Sequence, residues 1–155
     1  MEKQKGFLEQ NLAESQGKDV CRILFDGSPD AIFLADTETG IIIDANPAAE
    51  RLTGRPRNEL IGLHQSQLHP ARGENASKRI FKEHSRHGSG VIHSGPELHY
   101  VLRADGSEVP TEITAQVIEI RGKRVLQGFF RDVSERVKAE QALKESENKF
   151  KTLTE

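Results

Sequence analysis

One cysteine, Cys21, is all that the chain contains. No internal disulfide can form, so a reducing, cytoplasmic setting is expected. Apolar runs are just as scarce. Segments such as Ile41–Ile43 fall far short of the roughly 20 apolar residues that a membrane-spanning helix needs. The segment Met1–Gly6 also lacks the apolar region of a signal peptide. No charge sign dominates: 22 Lys and Arg are interspersed with 24 Asp and Glu, for a formal net charge of −2. Without a basic face, a nucleic-acid partner is not expected. Gly88-Ser89-Gly90 is not followed by the lysine and Ser/Thr of a phosphate loop, and reads as a plain loop. Zinc wants four closely spaced ligands. The six histidines (His64, His69, His84, His87, His93 and His99) and the lone cysteine supply no such set, and they read as solvent-exposed. Internal repeats and low-complexity stretches are missing too.

What is present reads as one domain with helical flanks, and 155 residues suffice to bury a core. Residues 1–18 are polar, with Phe7, Leu8 and Leu12 at helical spacing, and Val20, Ile23 and Leu24 add a second apolar face. Ser28-Pro29 breaks the helix ahead of a strand at 31–35. Thr37–Gly40 turns the chain into a second strand at 41–45. Asn46 is a good N-cap and Pro47 suits the first helical position, which predicts a helix over 47–52. Arg57–Gly62 reads as a short helix closed by glycine. Glu74–His87 reads as another, with Ala76, Ile80, Phe81 and His84 on one face. A third strand is expected at 97–103, followed by the hairpin signal Asp105-Gly106. The fourth strand alternates: Val109, Thr111, Ile113, Ala115 and Val117 face one way, and Glu108, Glu112, Thr114 and Gln116 the other. Arg121–Lys123 returns the chain into a fifth strand at 124–131. Asp132, with Glu135 three residues on, predicts a capping box opening the final helix. Along it, Ala139, Leu143, Ser146, Phe150 and Leu153 make a short, imperfect coiled-coil seam.

Three stretches carry a family resemblance. They are Ser28–Gly54, Arg103–Pro110 and Gly128–Arg136, in the order strand, strand, short helices, three strands and a long exit helix. This order resembles a PAS domain, a sensory and dimerising module of signalling proteins, over roughly Asp19 to Arg136. The resemblance implies an α+β fold: a five-stranded antiparallel sheet with short helices enclosing a cavity on one face. It divides the chain into a helical flank at 1–27, a sensory core at 28–132 and a signalling helix at 133–155 that leads to a further domain. Carried onto this sequence, the family pattern turns Phe33, Ala35, His99, Val101, Thr111, Ile113, Ala115, Leu126, Gly128 and Phe130 toward the cavity. Such a wall suits a modest organic molecule, although the same patterning also fits a packed core without a ligand. His99, its one titratable member, is the candidate polar anchor.

The Asp132-Val133-Ser134-Glu135 junction resembles the Asp-x-Thr motif joining PAS domains to output helices, with Ser134 in place of threonine. Asp132, Ser134 and Glu135 are therefore the expected signal relay. Haem and flavin are alternative cofactors. For haem, the resemblance implies a proximal histidine near His87 or His93, although no arginine on the cavity wall matches the family's. For flavin, the photoactive relatives carry an Asn-Cys-Arg-Phe motif where this chain reads Gly62-Leu-His-Gln-Ser-Gln67, and Cys21 lies outside the domain. Cysteine–flavin adduct chemistry is therefore excluded, but flavin redox is not. No kinase histidine box or nucleotide loop is present, so no catalysis is expected of this chain. The expectation is a cytoplasmic homodimer without membrane contact, attached to an output domain. The parent would be a sensor histidine kinase or, as runner-up, a diguanylate cyclase. Ligand-independent dimerisation and haem-based gas sensing are the rival readings.

Overall fold

The clearest alternation in the sequence builds the longest strand. The computed structural model describes the backbone of residues 2–86, 91–93 and 98–154, and their side chains except at 73–76, 84, 91–93 and 154. In it, β5 (Glu108–Ile120) buries Val109, Thr111, Ala115 and Val117 and leaves Glu108 and Glu112 exposed. The hairpin turn Arg121-Gly122 has positive φ at both residues and returns the chain antiparallel as β6 (Lys123–Asp132). On the other side of β6 lies β1 (Ala31–Asp36), which in turn pairs with β2 (Ile42–Ala45).

The free edge of β5 is shared by two short strands. β3 (Val91–His93) pairs with Thr114–Gln116, and β4 (His99–Leu102) with Glu108–Thr111. The antiparallel sheet thus runs β2-β1-β6-β5, with β3 and β4 together filling its fifth position. The strand expected at 97–103 appears as β4 over His99–Leu102, and residue 97 lies outside the described residues. β3 has no counterpart among the expected strands. Three residues offer too little alternation to separate a strand from a loop.

The helices follow from local caps. Asn46 opens α2 (Pro47–Thr53): its Oδ1 accepts the Ala49 amide at 3.0 Å, and Gly54 closes the helix in the left-handed region. Next come the one-turn helix α3 (Arg57–Leu60), a 3-10 turn at Gln65–Leu68, and α4 (Glu74–Arg86). His64 caps the 3-10 turn, its Nδ1 accepting the Ser66 amide at 3.2 Å. That ring lies so close over Gly40 that a Cβ there would sit 2.5 Å from Nε2. The buried core gathers Phe33, Ile42, Ala49, Leu60, Val101 and Phe130 between the sheet and these helices.

Helical flanks leave the core at both ends. α1 (Glu2–Gly27) is one continuous helix, without a buried residue. Asn46 Nδ2 fastens its last turn by donating to the Phe25 carbonyl, 3.0 Å away. α5 (Ser134–Thr154) departs from the end of β6. Among the described residues, no helix is long and apolar enough to cross a membrane.

Candidate ligand-binding site

The inner face of the sheet and the helices over it line a half-open cavity of about 290 Å³. Its floor is apolar: Phe33, Ile113, Ala115, Leu126, Gly128 and Phe130 from three adjacent strands. Phe33 and Phe130 meet edge to face with ring centroids 4.8 Å apart. Gly128 makes room for this pair, since a Cβ there would come within 3.0 Å of the Phe130 ring. The roof comes from Gln65, Leu68 and His69 at the 3-10 turn, and from Ser77, Ile80 and Phe81 on α4. The exposed Arg72 and Arg79 stand at its outer edge. Arg72 pairs with both carboxylate oxygens of Glu108 and lies over the Tyr100 ring, 5.6 Å from its centroid.

Polar groups gather on the roof. Ser77 Oγ donates to Gln65 Oε1 at 2.9 Å. Gln65 is buried, and its Nε2 finds no hydrogen-bond partner among the described residues. His69 Nδ1 lies 2.8 Å from the Tyr100 carbonyl. A carbonyl only accepts, so Nδ1 carries the proton and Nε2 remains an acceptor. Burial, with His99 nearby, holds the His69 pKa below the ordinary histidine range despite the Tyr100 bond. The ring stacks on Phe130 with centroids 6.0 Å apart.

Eight of the ten expected wall residues surround this cavity: Phe33, Ala35, His99, Ile113, Ala115, Leu126, Gly128 and Phe130. Val101 and Thr111 do not. Both are fully buried, Val101 in the core cluster with Ala48 and Leu52, and Thr111 with its hydroxyl donated to the His99 carbonyl at 3.0 Å. Both are buried on the inner side of the sheet, where the core fills before the strands end, so they pack instead of lining space. His69 departs from the solvent-exposed reading of the histidines, because the roof closes over it. His87 lies outside the described residues, and so do the side chains of His84 and His93. Gln65, His69 and Ser77 carry no local signal of a site. Only the folding of a turn and a helix over the sheet brings them together.

The exit from the sheet is tightly bonded. Asp132, the last residue of β6, sits opposite Thr111. Its Oδ1 accepts from the Ser134 amide at 2.8 Å and the Ser134 hydroxyl at 2.6 Å. Helix α5 starts at Ser134, so Asp132 stands one residue ahead of the position that a capping box requires. Glu135 faces Lys138 at 3.8 Å instead. Val133 is buried, and its amide donates to the Pro110 carbonyl at 3.0 Å. Arg136 reaches Glu112 on β5 at 2.6 Å.

A cavity between a five-position antiparallel sheet and short helices, with a helix leaving the last strand, is the arrangement that the sequence resemblance implied. The family model for the PAS domain matches residues 29–135. The chain belongs to the PAS domain family. An uncharacterized protein of Azorhizobium caulinodans is 34% identical to this PAS domain over 123 residues, 79% of the chain. A methyl sulfide methyltransferase-associated sensor of Methanosarcina acetivorans is 23% identical over 131 residues, 84% of the chain. The chain spans only 17% and 12% of the lengths of these two relatives.

Solved structures share the fold. The PAS domain of an HTR-like protein from Haloarcula marismortui superposes with a TM-score of 0.66 at 19% identity, covering 82% of this chain and 98% of that one. A domain of a sensor histidine kinase/response regulator from Geobacter sulfurreducens gives 0.60 at 24% identity, covering 75% and 94%. An RNA-binding light-oxygen-voltage receptor gives 0.67 at 21% identity, covering 86% and 38%.

Proposed function

We propose that this PAS domain senses a small organic molecule held in its cavity and passes the change to an output domain of the same parent chain through α5. The supporting observation is the cavity itself. A packed core would leave no space of 290 Å³ between Phe33, Ile113 and Phe130 on one side and Gln65, His69 and Phe81 on the other. Leu126, Gly128 and Phe130 line that space, and the same strand ends at Asp132, whose carboxylate holds the first residue of α5. An occupant that shifts the Phe130 ring thus acts on a strand only two residues from the helix junction. A histidine kinase parent agrees with the sensor histidine kinase/response regulator of Geobacter sulfurreducens, and a sensor role with the methyltransferase-associated sensor of Methanosarcina acetivorans.

Residues around the cavity bear on the cofactor alternatives. Cys21 is exposed on α1 and does not line the cavity. The stretch 62–67 contributes Gln65, not a thiol, so cysteine–flavin adduct chemistry does not fit this site. A cavity of 290 Å³ sits at the lower edge of ligand pockets, which run from about 300 to 1,000 Å³. It favours a modest molecule over haem or a complete flavin nucleotide.

A second reading, assembly without a ligand, draws on exposed apolar side chains at Phe7, Leu12, Ile23 and Leu24 on α1 and at Leu143 and Leu153 on α5. Pairing of these faces would give a homodimer, and it can coexist with sensing. Native mass spectrometry of protein purified without denaturation, together with its absorbance spectrum, separates the readings. A co-purified mass without visible absorbance supports the small-molecule sensor. A Soret or blue band would replace that molecule with haem or flavin, and a bare chain that binds nothing in a fragment screen would leave assembly alone.

A further inference from the structure

The roof of the cavity contains an amide that is incompletely bonded. Gln65 is 9% exposed, and its carbonyl is taken by the Ser77 hydroxyl at 2.9 Å. In this orientation of the amide the bond commits Oε1. Nε2 is left buried, on the cavity lining, without an acceptor among the described residues. Buried donors are nearly always satisfied, and one that is not marks either a strained site or a place for a partner that binds there. Four residues along, His69 lines the same cavity with Nδ1–H directed to the Tyr100 carbonyl, so its other ring nitrogen is an acceptor. The facing central strands are apolar, with Phe33, Ile113, Ala115, Leu126, Gly128 and Phe130, and polar lining on the sheet side comes from His99 and Tyr100 of β4. Arginines occur only among the exposed lining residues, and Arg72 is engaged by Glu108. Among the described residues, no lysine or arginine stands in the interior to balance an anionic ligand.

Resting on the small-molecule reading above, we propose that the cavity selects a neutral, flat, largely apolar molecule with an amide-like edge. Its carbonyl accepts from Gln65 Nε2, and the neighbouring N–H donates to His69. The ring system lies against Phe33 and Phe130. Gln65 and His69, on the helical side, are therefore the residues that determine specificity, and the central strands β1, β5 and β6 supply shape. A ligand lacking the carbonyl would leave the Gln65 donor buried and unpaired, and this is the discrimination that a polar site achieves best.

The test uses three bicyclic probes of similar size on the complete chain: 2-quinolone, which has the lactam edge, naphthalene, which lacks it, and 2-naphthoate, which is charged. Binding is followed by isothermal titration and by chemical shift changes of the Phe33 and Ile113 amides. Wild type is expected to prefer 2-quinolone over both others by about tenfold or more, the worth of one buried hydrogen bond. Gln65→Met should abolish that preference while naphthalene binding persists. Should Gln65→Met fail to fold, Ser77→Ala, which frees the amide to rotate, is expected to lower 2-quinolone affinity several-fold more than it changes naphthalene affinity. Equal binding of 2-quinolone and naphthalene, tighter binding of 2-naphthoate, or a preference that survives both substitutions would overturn the assignment but leave a ligand-binding cavity. Absence of binding by all three probes would overturn the small-molecule reading as well.

Discussion

Replacing Asn46 by alanine should damage this domain more than any other single change at a helix cap. Its side chain is fully buried and makes four hydrogen bonds. Oδ1 accepts from the Ile32 amide at 2.8 Å and the Ala49 amide at 3.0 Å, and Nδ2 donates to the Phe25 and Asp30 carbonyls at 3.0 Å each. One residue thus caps α2, satisfies an inner strand and fastens the end of α1. Losing the cap costs about 1 kcal/mol. Leaving the Ile32 N–H buried and unpaired adds about 1–3 kcal/mol. The two carbonyls belong to half-buried residues that water can reach, so they add little. The expected loss is about 2–4 kcal/mol in urea unfolding followed by circular dichroism. Asn46→Asp keeps the acceptor and loses both donors, setting a carboxylate against the Phe25 and Asp30 carbonyls. It should loosen α1 while α2 remains capped, with faster hydrogen exchange confined to the last turn of α1. Stability of Asn46→Ala within 0.5 kcal/mol of wild type, the scatter of ordinary surface changes, would refute this reasoning.

Phe130→Ala should cost about 3–5 kcal/mol because the ring packs on Phe33 and His69. By contrast, Glu112→Ala, exposed on the outer face and paired with Arg136, should cost under about 1 kcal/mol, and thermal melts with the reverse ranking would invert the face assignment. Gly128→Ala should cost about 1–3 kcal/mol through crowding of the Phe130 ring, seen as a lower melting temperature. Asp36 ionises more readily than usual, chiefly through its bond to Lys123 at 2.6 Å and then the Glu38 amide. Its stabilisation is present above the ordinary carboxylate value of 3.8 and is lost as pH falls through the lower folded value, so Asp36→Asn should flatten the acid limb of stability. His69 is held neutral by burial, so the unfolded chain binds its proton first and stability should decline as pH falls below about 6.5. His69→Gln should remove that slope from unfolding curves. Light scattering should find a dimer that deletion of residues 1–26 weakens, and a monomer at high concentration would contradict pairing through α1.

The parts of this fold that could be read from sequence were those set by neighbours along the chain. The alternation of β5, the Asn46-Pro47 start of α2 and the turn at Asp105-Gly106 are local patterns, and each appears where the residues place it. β3 escaped because three residues pair only with the middle of β5. Period-two alternation gave a face to Val101 and Thr111 but could not say where along that face the packing closes. Gln65 and His69 were hidden for a different reason. A buried amide and a neutral histidine acquire meaning only once the turn from Gln65 to Leu68 lies over Phe130.

The central claim is that the cavity and the exit helix are mechanically linked through β6. Hydrogen exchange measured amide by amide on wild type and on Ala115→Leu, which fills the cavity from its floor, tests it most directly. The account predicts altered protection at Leu126–Phe130 and, beyond the cavity, at the Val133 and Val137 amides, which bond to the carbonyls of Pro110 and Val133. Changes confined to the cavity wall, with Val133 and Val137 exchanging as in wild type, would contradict it.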